Sequence, residues 1–133
     1  AIEEFDLEGL HVLMAEDIEM NAEILMDILE MEDVSAEHAE NGQIAVDKFA
    51  ASEPGYFDAI LMDIRMPVMD GLTATETIRA MDRPDAKPVP IIAMTANAFD
   101  EDVRNSLEAG MNEHLSKPID PDKLYETLAR FKK

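Results

Sequence analysis

Apolar residues fall into short unbroken runs that alternate with longer amphipathic stretches along the chain. Short apolar runs bounded by polar residues are typical of strands, and apolar residues spaced by three or four are typical of helices. This pattern predicts strands at His11–Met14, Val34–His38, Ala59–Met62, Ile91–Met94 and His114–Ser116. It predicts helices at about 19–31, 42–51, 71–81, 98–109 and 121–131.

The regular alternation of strands and helices predicts an α/β domain with a doubly wound, five-stranded parallel sheet and helices on both faces. The runs at 59–62 and 91–94 lack polar alternation, which indicates strands that are buried on both sides. Residues 34–38 do alternate, so we place that strand at an edge of the sheet. Asp120 followed by Pro121 indicates an N-cap and the first turn of the last helix.

The first predicted helix has a wide apolar arc. When residues 18–31 are plotted at ~100° per residue, most acidic side chains share the solvated face opposite this arc. The residues predicted to face the core are Ile24, Leu25, Ile28 and Leu29. Met20 widens the arc beyond what packing on the sheet requires, which leaves apolar surface near the start of the helix.

The composition is that of one globular domain. A length of 133 residues suffices for a single core, and 47% hydrophobic with 31% charged residues excludes wholesale disorder. No apolar stretch approaches the roughly 20 residues that span a bilayer, and no signal segment opens the chain. We therefore expect no membrane contact and a cytoplasmic location. Residues 1–9 are predicted to be an acidic linker or extension before a domain at 10–133, and the opening Ala1 suggests a piece of a longer protein.

The charge balance excludes some functions. A formal net charge of -19, from 30 Asp and Glu against 11 Lys and Arg, disfavours direct nucleic-acid binding because phosphate backbones repel such a surface. The absence of Cys excludes disulfides, thiolate metal sites and thiol nucleophiles. Most of the carboxylates serve solubility. Those at the ends of buried strands need a further explanation, because burying an unpaired carboxylate is strongly unfavourable.

Reactive side chains stand at the carboxyl ends of the predicted strands, where open parallel sheets place their sites. Glu16 and Asp17 follow the first strand, Asp63 follows the third, and Thr95 and Lys117 end the fourth and fifth. Three clustered carboxylates are tolerable only when protonated or bound to a cation, and hard oxygen ligands without His or Cys suit Mg²⁺. Since Lys and Thr can both contact a phosphoryl group, the combination favours Asp63 as a nucleophile that becomes an aspartyl phosphate.

Four motifs together carry a resemblance to one family. The chain has AED at 15–17, LMDIRMPVMDG at 61–71, MTANAF at 94–99 and LSKPID at 115–120. With this spacing it resembles a receiver (response regulator) domain of two-component signalling from about Leu10 to Phe131, most like the receivers of hybrid histidine kinases. The resemblance implies strand order 2-1-3-4-5 and a signalling switch. Such a domain helps to catalyse its own phosphorylation and dephosphorylation but is not a metabolic enzyme.

The resemblance also implies roles for individual residues. Asp63 would be the phosphoacceptor, and Lys117 would pair with the bound phosphoryl group. Glu16, Asp17 and Asp63 would hold Mg²⁺ together with the backbone carbonyl of Arg65.

Two positions correspond to the conformational switch of the family. Thr95 would follow the phosphoryl group, and His114 stands where many relatives carry a Tyr or Phe that rotates. We interpret His114 as a partly buried ring rather than a pH sensor. The bond between Lys117 and Pro118 is often cis in this family.

The implied phosphodonor is a histidine kinase or a histidine phosphotransfer domain. Donor helices commonly pack against the first helix of receivers. The residues predicted to form this docking surface are Met20, Asn21, Ile24, Pro118 and Ile119.

Two other classes share parts of this pattern. A haloacid-dehalogenase-type phosphatase also uses an Asp nucleophile and Mg²⁺, but its motif requires a second acid at the position of Arg65. A flavodoxin-like FMN-binding protein has the same fold, but it requires a Ser/Thr/Gly-rich phosphate loop where Glu16 and Asp17 would repel phosphate. Both classes therefore explain the sequence less well than a receiver domain does.

Overall fold

The computed structural model describes residues 7–96 and 101–132 as a parallel sheet with helices on both faces. The strands are β1 (His11–Ala15), β2 (Ser35–Ala39), β3 (Ala59–Asp63), β4 (Ile91–Thr95) and β5 (Glu113–Ser116). The helices are α1 (Glu19–Glu30), α2 (Gly42–Ala51), α3 (Gly71–Arg79), α4 (Glu101–Ala109) and α5 (Pro121–Phe131). The order β2-β1-β3-β4-β5 confirms the predicted fold class and places β2 at an edge.

The central strands alternate their side chains between two apolar layers, as parallel strands covered on both faces do. Val12 and Met14 of β1 pack in the layer that α1 and α5 cover, whereas Leu13 and Ala15 pack in the layer of α2 and α3. Every residue of β3 and β4 is buried. This two-sided burial fixes the strands rigidly, so the residues at their carboxyl ends are held in defined positions.

The orientation of α1 corrects one prediction from the sequence. Leu25, Ile28 and Leu29 are buried as expected, but the side chain of Ile24 is 52% exposed. Ala22 occupies the sheet-facing position in its place and is buried. The buried arc is therefore centred near Leu25, and Ile24, at ~100° per residue, lies on its flank. Ile24 joins the exposed surface of α1 rather than the core.

Two helix termini have a clear local cause, and the first of them was predicted from the sequence. Asp120 caps α5 by accepting a hydrogen bond from the Asp122 N–H at 3.0 Å, with Pro121 in the first turn as predicted. Gly110 ends α4 with φ of 112°, a left-handed conformation that favours glycine. Residues 98–100, where the sequence predicts the start of this helix, lie outside the described residues.

The predicted linker is described only in part. Residues 1–6 lie outside the described part of the chain, and Leu7 is buried in the layer of α1 and α5. Leu10, Phe131 and Lys132 line one cavity of about 270 Å³ at the amino ends of the strands, opposite the carboxyl ends. No helix within residues 7–96 and 101–132 is long and apolar enough to cross a bilayer.

One half-buried guanidinium group links the end of α3 to neighbouring segments. Arg79 donates to the carbonyls of Gly110 (2.8 and 3.0 Å) and Val89 (2.7 Å), and to Asn112 Oδ1 (2.8 Å). The same Oδ1 atom accepts from the N–H of Ile91, the first residue of β4. Burial lowers the pKa of Arg79, yet a guanidinium stays charged in proteins. The side chain of Arg79 thus connects the end of α3 with the residues that follow α4 and with the segment that leads into β4.

We expect Arg79→Lys to destabilise the fold by at least about 2 kcal/mol, because Lys keeps the charge but cannot reproduce a planar fork of donors. Urea unfolding measures this difference. Arg104→Lys, an exchange at an exposed position of α4, is the matched control and should stay near the wild-type stability. Equal unfolding midpoints for the Arg79 variant and the control would show that the network is energetically unimportant.

Candidate functional site

Three carboxylates converge at the carboxyl edge of the sheet. Glu16 and Asp17 follow β1, and Asp63 is the last residue of β3, the strand next to β1. One oxygen atom from each lies within 4.8 Å of the others. Glu16 is fully buried and Asp63 is 5% exposed, whereas Asp17 faces solvent. The cluster therefore has a desolvated floor and an open side.

Asp17 is not a helix cap. The N-cap of α1 is Ile18, and its N–H donates to Oε1 of Glu16 at 3.1 Å. The carboxylate of Asp17 is thus left for another role. This observation disfavours a purely structural explanation of the acidic pair.

Lys117 brings a positive charge to Asp63 from a distant part of the chain. Its Nζ atom donates to Asp63 Oδ2 at 2.8 Å and lies 3.0 Å from Oε2 of Glu16. Among the described residues, this Glu16 oxygen is buried and has no hydrogen-bond donor, so its contact with Lys117 is an ion pair without hydrogen-bond geometry. The bond from Lys117 to Pro118 is cis.

The electrostatics of the site oppose full ionisation. Burial raises the pKa of Asp63 to about 6, and the charge of Glu16 adds to this rise, although the hydrogen bond from Lys117 counteracts it. Burial alone would lower the pKa of Lys117, but its hydrogen bond to Asp63 and the nearby negative charges of Asp63 and Glu16 raise it overall. One ammonium group therefore stays charged between two buried carboxylates that it cannot fully neutralise.

Two glycines hold the loop after β3 against the site, a role that the sequence analysis did not assign. The N–H of Gly71 donates to Ile64 O at 2.8 Å, and a Cβ at this position would collide with the Asp63 carbonyl. The N–H of Gly42 donates to Met69 O at 3.0 Å, and a Cβ there would collide with the same oxygen. The only sequence signal for either role was a glycine at a helix start.

The same loop contains a strained residue. Val68 has φ of 69° and is 81% exposed. A β-branched side chain in this left-handed region is a genuine outlier, so the surrounding contacts hold the loop in place against its own preference.

The remaining predicted site residues are placed as follows. Thr95 is the buried last residue of β4, and its carbonyl accepts from the Lys117 N–H at 2.8 Å. The backbone N–H of Arg65 points at Oδ1 of Asp63 over 3.4 Å. The half-buried His114 ring lies on β5, and its Nδ1 atom is 3.5 Å from an oxygen of Glu113. Thr95 and Arg65 thus border the cluster, whereas the His114 ring contacts Glu113, the preceding residue of β5.

An edge-strand side chain reaches the acidic pair from the other side. His38, on β2, lies 2.7 Å through Nε2 from the backbone oxygen of Glu16. The sequence analysis placed His38 on a strand and gave it no role in the site. Nothing in the local sequence signals this contact, because it joins β2 to the residue that follows β1.

The predicted docking residues surround a cavity of about 110 Å³ beside the carboxylates. The cavity is lined by Asn21, Ile24, Leu25, Pro118 and Ile119, together with Glu16 and Lys117 of the site. Met20 lies on the same helix and is 70% exposed. An apolar surface therefore adjoins the acidic cluster directly.

The cluster fits a hard divalent cation. It offers carboxylate oxygens from three residues, one of them on the open side and one buried without a hydrogen bond. Mg²⁺ typically binds to one or two carboxylates while keeping several waters, and the exposed side of Asp17 leaves space for these waters. A cation would also relieve the mutual repulsion of the three groups.

Comparison with known sequences identifies relatives over almost the whole chain. A sequence profile described as the response regulator receiver domain matches residues 12–129. The hybrid signal transduction histidine kinase M of Dictyostelium discoideum is 42% identical over 121 residues, covering 90% of this chain and 5% of that protein. The osmosensing histidine protein kinase SLN1 of Saccharomyces cerevisiae is 39% identical, covering 92% of this chain and 10% of that protein. The chain thus spans a small part of these curated relatives.

Solved structures with the same fold include two receiver domains. The receiver domain of sensor histidine kinase PA1611 from Pseudomonas aeruginosa has magnesium in its active site cleft. It is 38% identical with a TM-score of 0.84, and the match covers 92% of this chain and 97% of that one. The receiver domain of Ssk1 from Saccharomyces cerevisiae, solved with the histidine phosphotransfer protein Ypd1, is matched at 30% identity and a TM-score of 0.85. That match covers 98% of this chain and 92% of the matched chain.

The raised pKa of Asp63 predicts a pH-dependent penalty. Because the folded carboxyl titrates near 6 and the unfolded one near 3.8, the folded state binds more protons between these values and loses stability as the pH rises. In EDTA, the stability advantage of Asp63→Asn over wild type should grow by about 2 kcal/mol between about pH 4.5 and 7.5.

Urea unfolding at several pH values measures this difference. Asp82→Asn, which removes one carboxylate at an exposed position after α3, is the matched control. Parallel pH profiles for wild type and Asp63→Asn would contradict the electrostatic analysis.

Proposed function

Because the chain belongs to the response regulator receiver domain family, we propose that it accepts a phosphoryl group from a partner phosphohistidine on Asp63. The single observation that carries this assignment is the contact of Lys117 with Asp63 at 2.8 Å inside the cluster of three carboxylates. A buried acid with a fixed ammonium partner and an open side is suited to become an acyl phosphate. The relatives support neither a phosphatase of the haloacid dehalogenase type nor an FMN-binding protein.

In the proposed transfer, a carboxylate oxygen of Asp63 attacks phosphorus and forms an O–P bond while the P–N bond to the donor imidazole breaks. The electron pair of that bond leaves with the imidazole. Lys117 already lies 2.8 Å from Oδ2, so it would offset negative charge at the oxygens without moving far. Asp63 must be ionised to attack, and Lys117 favours that form.

Glu16, Asp17 and Asp63 would hold Mg²⁺, together with the backbone carbonyl of Arg65. When bound, the ion would neutralise charge that develops on the phosphoryl oxygens. Among the described residues, Oε2 of Glu16 forms an ion pair with Lys117 but accepts no hydrogen bond, which supports its assignment as a metal ligand. The magnesium in the cleft of the PA1611 receiver supports this assignment.

We further propose that phosphorylation shifts a conformational equilibrium through β4 and β5. Thr95 stands at the end of β4, and its carbonyl already pairs with the N–H of Lys117. His114 on β5 is the second proposed switch position. The parent chain is proposed to be a hybrid histidine kinase, because several relatives are such kinases. The cytoplasmic location expected from the sequence remains a prediction.

The proposed phosphodonor is a histidine phosphotransfer domain or a histidine kinase. The cavity beside the carboxylates supports docking on α1, since Glu16 and Lys117 line both the cavity and the acidic site. Exposed apolar side chains extend this surface along α1, with Met20 70% and Ile24 52% exposed. The complex of the Ssk1 receiver with a phosphotransfer protein supports the class of partner.

The phosphoacceptor is tested with acetyl phosphate and Mg²⁺, which remove any need for the donor. We expect wild type to gain the mass of one phosphoryl group and Asp63→Asn to gain none, because an amide oxygen is a poor nucleophile. Intact mass spectrometry measures the adduct. Asp82→Asn should label like wild type, and comparable labelling of Asp63→Asn would refute the assignment.

The docking surface is tested with Met20→Glu and Ile119→Glu, in a domain that still reacts normally with acetyl phosphate. Transfer from a phosphorylated histidine phosphotransfer domain that labels wild type should slow about tenfold, as expected for losing roughly 1.4 kcal/mol at an apolar contact. Met31→Glu changes a methionine that is 75% exposed at the far end of α1 and should leave transfer unchanged. Wild-type transfer rates in both Met20→Glu and Ile119→Glu would show that the docking surface lies elsewhere.

A further inference from the structure

The contact between His38 and Glu16 joins a ring nitrogen to a backbone carbonyl at the end of the pairing between β1 and β2. Backbone pairing of β1 with β2 ends with the bond from the Glu16 N–H to Ala39 O at 3.0 Å. Beyond this point β2 turns into the cap of α2, where Asn41 accepts from the Ile44 N–H. The Glu16 carbonyl is therefore served by the ring of His38, at 2.7 Å, in place of a strand partner.

The chemistry fixes the direction of this bond. A carbonyl oxygen can only accept, so Nε2 of His38 carries the hydrogen and donates it. Both the neutral ring in this tautomer and the protonated ring have an N–H at Nε2, so the bond exists in either state. Glu16 is fully buried, and a buried carbonyl that loses its donor is strongly destabilised.

The position of this carbonyl links it to the metal-binding function. The C=O of Glu16 and the N–H of Asp17 belong to one planar peptide unit. A donor that fixes this carbonyl restrains ψ of Glu16 and φ of Asp17, and so limits how far the backbone that carries both carboxylates can shift. The donor from β2 thus holds the one backbone element that connects the two proposed ligands.

We propose that His38 is a positioning residue for the acidic pair, holding the Glu16–Asp17 peptide plane so that both carboxylates point at the proposed Mg²⁺ site. This inference rests on the proposed function, and His38 itself touches neither metal nor phosphate. Its effect reaches the site through Glu16 and Asp17. Removing the donor lets the backbone at Glu16 and Asp17 shift, which weakens Mg²⁺ binding in a domain that still folds.

The test compares His38→Leu and His38→Phe, which lack the donor, with His38→Gln, whose amide can place an N–H near the Nε2 position. The Mg²⁺ dissociation constant is measured by NMR titration, and melting is followed separately in EDTA. The donor-free variants should bind Mg²⁺ about tenfold more weakly, the scale typical of residues that orient metal ligands. His38→Gln should recover most of the affinity. Both His38→Gln and His38→Leu lose the ring current of the imidazole, so the amide resonance of Asp17 in EDTA should shift further in His38→Leu than in His38→Gln.

Two controls separate this role from general stability. His11→Leu removes another strand histidine, whose ring packs on Tyr56 at 4.8 Å, and should leave Mg²⁺ affinity unchanged. Asp17→Asn should weaken Mg²⁺ binding directly. Wild-type Mg²⁺ affinity in a folded donor-free variant, or equal weakening by Gln and Leu, overturns the inference about His38 alone. Failure of wild type to bind Mg²⁺ overturns both this inference and the proposed function.

Discussion

Mutual repulsion among three carboxylates is the constraint on which the site depends. Oxygen atoms of Glu16, Asp17 and Asp63 lie within 4.8 Å of one another, and the ammonium group of Lys117 forms ion pairs with Glu16 and Asp63. Such a cluster tends to spread apart unless its backbone is held. The structure holds it from several directions at once, through β1 and β3 in the sheet, the glycines of the β3–α3 loop and the ring of His38.

The parallel sheet explains why this concentration of charge is possible. All strands direct their carboxyl ends to the same edge, so residues distant in the chain meet there without extra loops. Lys117 reaches Asp63 across 54 positions of sequence in this way. The two apolar layers behind the strands resist any movement that would relieve the repulsion. The stable core therefore keeps the three carboxylates in place although their close approach is electrostatically unfavourable.

The sequence was sufficient for the fold because its signals are local and repeated. Apolar runs and helical spacing identified all five strands and most of each helix, and the residues at the strand ends marked the site. The exposure of Ile24 was not predictable to the same degree, since a small rotation of α1 decides which flank is buried. Periodicity gives the width of an apolar arc but not its centre.

Other features depend on contacts between distant elements. Arg79 serves acceptors as far as 33 positions away, and His38 serves a carbonyl 22 positions before it. Each looks like an ordinary helix or strand residue in the sequence. A side chain that satisfies a backbone group elsewhere leaves no periodic or motif signal, so only the folded geometry reveals it.

The cavity at the amino ends of the strands has a consequence for how such a domain is carried. Leu10 and Lys132 line it together, so the entry and exit of the described domain lie side by side, on the edge opposite the carboxylates. Adjacent termini let a domain be inserted into another chain or appended to it with little distortion. Fusion partners joined at this edge would leave the phosphoryl-accepting edge open, which suits a module that recurs within much longer proteins.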